Sequence, residues 1–194
     1  FSQVDKAIGE IGDKLSEDDF LILLSDHGFE LLEYEVNLNF LLKESGFLKL
    51  RPAFKRNFAD IDFGTKAFAL EPSRIYINLR NKYPRGSVEE NEYNQLRDEL
   101  TAFFYNFEFS GKNAINKIYK KEEIYKGTYT HQAPDLVLIP NKGFNLKANI
   151  NAQEAIEKSI FTGKHTQHDA FLSLNKPAGK DLLPNKFTVS DVCS

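Results

Sequence analysis

Two short stretches of this chain bring together side chains able to hold a divalent metal. In "LSDHGF", Asp26 and His27 stand directly before Gly28, at the end of the apolar run 21–24. In "FTGKHTQHDAF", His165, His168 and Asp169 follow Gly163 and precede a further apolar run. Carboxylate and imidazole are good ligands for zinc or manganese, and a glycine lets the backbone turn without a Cβ in the way. Metal-assisted chemistry needs such groups at rigid strand ends. The same Asp-His-Gly triplet also reads as turn chemistry that closes a strand, with Asp26 capping the next helix. His131, just before the stretch "APDL", stands apart and is a candidate to face a substrate.

The elements that must position these groups are legible in outline. The run "LILL" at 21–24 is continuously apolar, as in a strand covered on both faces of a parallel sheet. Open α/β sheets place their ligands at the carboxyl ends of such strands. "APDLVLIPNKGF" is a second buried-strand signature, bounded by Pro134, Pro140 and Gly143. Before the first strand, Val4, Ile8, Ile11 and Leu15 repeat at helical spacing. After it, a short helix is expected to end at Gly46. Residues 51–70 read as loop, and "SRIYINL" (73–79) reads as a strand. A helix follows, with Ser87 and Glu90 at capping-box spacing and Tyr93, Leu96, Leu100 and Phe103 on one face. "NAINKIYKKEEIYKG" adds a short strand and a charged helix ending at Gly127.

Composition narrows the class. The chain has 194 residues, is 41% hydrophobic and 27% charged, and carries a formal charge of −3, an ordinary balance for a globular protein. Nothing in that charge favours bulk nucleic-acid binding. No stretch approaches the roughly 18 apolar residues of a membrane helix, and no signal-peptide pattern opens the sequence. Cys193 is the single cysteine and cannot form an internal disulfide, which fits a reducing compartment, so a cytoplasmic location is expected. There is no methionine, and the chain opens within a helical pattern, so a piece of a longer protein is expected. No G-x-G-x-x-G follows any strand, which excludes a Rossmann-type nucleotide domain.

Taken in order, "LSDHGF", "YEVNLNFLL", "SRIYINL", "YPRGSV", "EEIYKG", "APDLVLIPNKGF" and "GKHTQHDAF" resemble the C-terminal half of the type I phosphodiesterase/nucleotide pyrophosphatase family, within the alkaline phosphatase superfamily. The resemblance implies an α/β fold, an alkaline phosphatase-like three-layer sandwich with a mostly parallel central sheet. Residues 1–194 would be the C-terminal part of that one domain, with a small α+β excursion at about 51–130 lying over the site. It also implies two bridging metal ions, most often zinc, with manganese or iron as alternatives.

Members of the family attack phosphorus with a threonine or serine, pass through a covalent phospho- or nucleotidyl-enzyme, and release it with water. Two cations about 4 Å apart serve this chemistry by activating the nucleophile and stabilising the leaving oxygen. By the resemblance, Asp26 and His27 are ligands of the ion that holds the nucleophile, and His165 is a ligand of the other. His168 and His131 are candidates for supporting or substrate contacts, and Asp169 is a structural or surface residue. These ligands are expected to converge at the carboxyl end of the sheet.

The family's nucleophile and remaining ligands come from the half that precedes these residues; Ser25, Thr65 and Thr128 do not stand in its context. Asn81-Lys82 also departs from the Gly-Arg or Gly-Lys of many relatives. The partners implied are a small phosphorylated substrate, such as a nucleotide or phosphodiester, and the N-terminal half of the same protein. Phosphomonoesterase, phosphonate hydrolase, sulfatase and phosphomutase activities share the same metals. A non-catalytic binding module that keeps the fold is the alternative outside enzymes.

Overall fold

The computed structural model describes residues 1–53, 55–167 and 169–176. Along the chain the helices and strands are α1 (Ser2–Gly12), β1 (Ile22–Leu24), β2 (Gly28–Leu31), β3 (Tyr34–Asn37), α2 (Leu38–Glu44), β4 (Ala67–Glu71), β5 (Arg74–Ile77), α3 (Tyr93–Tyr105), β6 (Glu108–Phe109), β7 (Lys112–Asn113), β8 (Ile115–Lys120), α4 (Lys121–Ile124), β9 (Leu136–Pro140), β10 (Phe144–Lys147), β11 (Ile156–Glu157), β12 (Gly163–Thr166) and β13 (Leu172–Leu174). The result is a mixed α/β chain with several small sheets. It divides into two compact units: residues 1–30 with 165 onward, and residues 31–164. Cys193 and His168 lie outside the described residues.

The larger unit holds the core. Its main sheet runs β4-β5-β9-β8, with every pairing antiparallel. A second sheet, β10-β3-β11, contains the parallel pair β10 and β3. Ile75, Ile77, Leu136 and Leu138 from the first sheet are fully buried with Leu100 and Phe104 of α3 and with Leu38 and Leu42 of α2. Burying each such side chain contributes about 1.5–3 kcal/mol. Asn39 ties α2 to the sheet edge: its amide donates to Ala69 O at 2.8 Å while its Oδ1 accepts Ala69 N–H at 2.8 Å. The helix then stops as expected, with Gly46 just beyond it at φ +76°, where a Cβ would be strained.

Three expectations are corrected here. Residues 67–71 are strand β4, not loop, and Ala67, Phe68 and Ala69 are buried; alternation was hidden because the strand is covered on both faces. Ser87 does not cap α3. Its hydroxyl donates to Thr65 O, and Glu92 instead accepts the Glu89 N–H at 3.0 Å, two residues later in the chain. The cause is the bridge between Leu79 and Val88, which keeps the backbone extended past Ser87. Finally, β9 is a buried strand where one was expected, but both its neighbours are antiparallel.

The smaller unit is thinly packed. β1 pairs antiparallel with β13, Ile22 opposite Leu174 and Leu24 opposite Leu172. The expected strand is therefore present at 22–24, but it is neither parallel to its neighbour nor covered on both faces: Ile22 is 41% and Leu24 43% exposed. One partner strand among the described residues cannot cover an apolar run on two sides. Likewise α1 forms, yet none of its residues is buried. β2 and β12 form a further two-stranded sheet.

Candidate functional site

Asp26 and His27 occupy the short link between β1 and β2, tied down by Ser25, whose N–H donates to Phe171 O at 3.0 Å and whose hydroxyl oxygen accepts the Phe171 N–H at 3.0 Å. Gly28 is buried and opens β2 as an ordinary strand residue, so it is not the sharp hinge expected of it. His27 Nδ1 lies 2.9 Å from Gly28 O. A proton on Nδ1 donates to that carbonyl, which leaves the Nε2 lone pair available, the arrangement by which metal-binding histidines are usually oriented. Nε2 lies 3.4 Å from Asp26 Oδ1.

His165, in β12, stacks on His27 with ring centroids 3.8 Å apart and planes 21° from parallel. Phe29 flanks it with its ring centroid at 5.8 Å. Two groups far apart in sequence are thus brought together with Asp26 beside them. Among the described residues no set of three or more His, Cys, Asp or Glu side chains closes into a metal cluster. The donors fit a divalent transition metal in type, one carboxylate and two imidazoles, and are too few to enclose an ion. Asp26 keeps an 83% exposed side chain, open to further ligands. His131 lies in the other unit, exposed, with Nδ1 2.9 Å from Thr128 O. Asp169 is exposed at φ +65°.

The larger unit contains an ionic centre that no motif in the sequence announces. Asp135 is fully buried. Its Oδ2 accepts the Ile77 N–H at 2.7 Å, and its Oδ1 accepts both the Tyr93 hydroxyl at 2.7 Å and Lys121 Nζ at 2.9 Å. Burial opposes the charge on Lys121, but the bonds to Tyr93 and Asp135 outweigh it and raise its pKa. Burial also raises the Tyr93 hydroxyl. Arg97 extends the network, donating from Nη1 to Glu122 at 2.8 Å and lying 4.9 Å above the Tyr93 ring. A visible signal was the arginine on the apolar face of α3, between Leu96 and Leu100. Asp135 itself stands between Pro134 and the apolar run, where no local pattern marks it as buried.

Lys82 is close enough to feel Asp135 and Lys121, yet its Nζ is buried and makes no hydrogen bond among the described residues. Burial lowers its pKa below the ordinary lysine value of 10.5. The unfolded chain therefore holds this proton to higher pH than the folded one, so stability rises with pH between the depressed value and the ordinary one. Lys82→Met is expected to stabilise the protein at neutral pH by about 1 kcal/mol, the scale of an unsatisfied buried donor, and to flatten that alkaline rise. Urea unfolding at pH 7 and pH 10 checks both; destabilisation at pH 7 would show that the contact of Lys82 Nζ with the Tyr83 ring, 5.4 Å from its centroid, outweighs the missing hydrogen bonds.

Among known families, the model of the one described as "Type I phosphodiesterase / nucleotide pyrophosphatase" matches residues 1–168. Comparison with curated proteins gives no match, and comparison with solved structures gives none. The matched span contains Asp26, His27, His165 and the Asp135 centre. No helix among the described residues is long and apolar enough to cross a membrane.

Proposed function

Because the chain belongs to the type I phosphodiesterase/nucleotide pyrophosphatase family, we propose that it is part of a metal-dependent hydrolase of phosphodiester or pyrophosphate bonds. Its substrates are small phosphorylated molecules such as nucleotides. The observation that carries this reading is the stacking of His27 on His165 beside Asp26 within the matched span. Asp26 and His27 would hold one ion and His165 the other, with zinc the best fit to two imidazoles and a carboxylate, and manganese or iron as alternatives. Two such ions supply charge neutralisation at phosphorus and its leaving oxygen. The chain's own part is positional. The Gly28 carbonyl fixes the His27 ring, and β1, β2 and β12 hold the donors in place.

The threonine or serine nucleophile and the remaining ligands belong, on this reading, to a preceding segment of the same protein. That segment would complete the three-layer sandwich and its mostly parallel central sheet, with the 51–130 region as an inserted α+β part. In support, the smaller unit leaves Val4, Ile11, Ile22, Leu24 and Phe171 exposed, apolar surface of the kind another element covers. A non-catalytic binding module is the second reading, favoured by the absence of a closed metal cluster among the described residues.

The test compares bis(p-nitrophenyl) phosphate with p-nitrophenyl phosphate at saturating zinc or manganese, with and without chelator. The intact protein is expected to hydrolyse the diester faster and to lose activity to the chelator, whereas residues 1–194 alone hydrolyse neither. Inactivity of the intact protein with every metal would favour the binding module. Chelator-sensitive turnover by residues 1–194 alone would place the nucleophile within them.

A further inference from the structure

The larger unit contains a pocket of about 590 Å³ that the proposed chemistry does not use. Its walls are aromatic: Phe58, Phe63, Phe68 and Tyr83, with Leu70 at the rim. The rings brace one another, Tyr83 meeting Phe68 edge-on at 5.2 Å and Phe58 lying 6.5 Å from Phe68. Even so, Phe63 stays 71% and Leu70 44% exposed. A volume of this size, apolar and with few polar groups, is typical of small-molecule sites.

The polar groups say what kind of molecule fits. Arg85 is held in place by Nη1, which donates to Ala59 O at 2.8 Å and Ile61 O at 2.6 Å. Its guanidinium carbon lies 5.9 Å from the Phe63 ring centroid. Nη2 and Nε make no hydrogen bond to the described residues, so a fixed guanidinium offers two donors beside an aromatic wall. That pair matches a carboxylate, sulfonate or phosphate. Asn78 is committed through its nitrogen to Thr65 O at 2.8 Å and Arg85 O at 2.9 Å, which further fixes the Arg85 backbone. Among the described residues no carboxylate lines the pocket to neutralise Arg85.

From these observations we infer that the pocket binds a planar aromatic group carrying an anionic substituent, the ring against Phe63, Phe68 and Tyr83 and the anion on Arg85. Stacking and edge-on contacts favour an aromatic ring over a saturated one, and the guanidinium requires the charge. This binding is independent of any metal and of the hydrolytic reading.

The experiment is calorimetric titration of the intact protein with naphthalene-2-sulfonate in the presence of EDTA, so that its outcome does not depend on metal-dependent activity. One equivalent is expected to bind with submillimolar affinity. Phe63→Ala and Arg85→Met are each expected to weaken binding at least tenfold, and uncharged 2-naphthalenemethanol to bind at least tenfold more weakly than the sulfonate. Because Arg85 also anchors its loop, Leu70→Trp is a second variant, which fills the pocket from an exposed strand position and is expected to block binding with the melting temperature preserved. No uptake at millimolar probe, binding indifferent to Phe63→Ala and Leu70→Trp, or equal affinity for the uncharged analogue would overturn the inference.

Discussion

Alanine at either Asp26 or His165 is expected to remove nearly all phosphodiester hydrolysis from the intact protein, a fall of roughly a thousandfold in kcat/KM, or about 4 kcal/mol of transition-state stabilisation. The two substitutions act on different ions in the proposed site. On that proposal Asp26→Ala would take a charged ligand from the ion that activates the nucleophile, while His165→Ala would take a neutral imidazole from the other. Folding stability of the metal-free protein should hardly change, because both residues are exposed and neither belongs to the apolar core. Metal content, measured alongside kcat/KM at saturating zinc, separates lost binding from lost chemistry. His168→Ala should be milder, losing about tenfold to a hundredfold if that side chain orients a ligand. A dead His168→Ala with an active His165→Ala would move the ligand three residues along "GKHTQHD" and refute the assignment.

The second large effect concerns the fold itself. Asp135→Ala should cost about 3–5 kcal/mol, because breaking a buried ion pair leaves the surviving charge uncompensated. Lys121, with a side chain only 14% exposed, would lose its carboxylate, and the Tyr93 hydroxyl and Ile77 N–H would lose their acceptor. Against a total stability of about 5–15 kcal/mol, this threatens the whole β4-β5-β9-β8 unit. Tyr93→Phe removes one bond and should cost only about 1 kcal/mol. Asp135→Asn should fall between, keeping the shape and losing the charge. Urea unfolding of the three variants checks the order; an Asp135→Ala protein as stable as Tyr93→Phe would mean that the ion pair contributes little.

Local chemistry was legible in the residues alone. Asp26-His27-Gly28 and Gly163-x-His165 announce ligand types, the apolar run after Pro134 announces a strand, and Gly46 announces the end of a helix, because each depends on residues adjacent in the chain. Which distant groups meet depends on how the strands pair. Nothing in the spacing of His27 and His165 requires their rings to stack at 3.8 Å; the meeting of β2 with β12 produces it. Strand direction was equally hidden, since Leu136–Pro140 buries the same side chains whether its neighbours run parallel or antiparallel. Asp135 was illegible for a deeper reason. A carboxylate at the start of an apolar run has no visible partner until Tyr93, Lys121 and the Ile77 amide converge on it, and those three lie in separate elements whose packing no local pattern encodes.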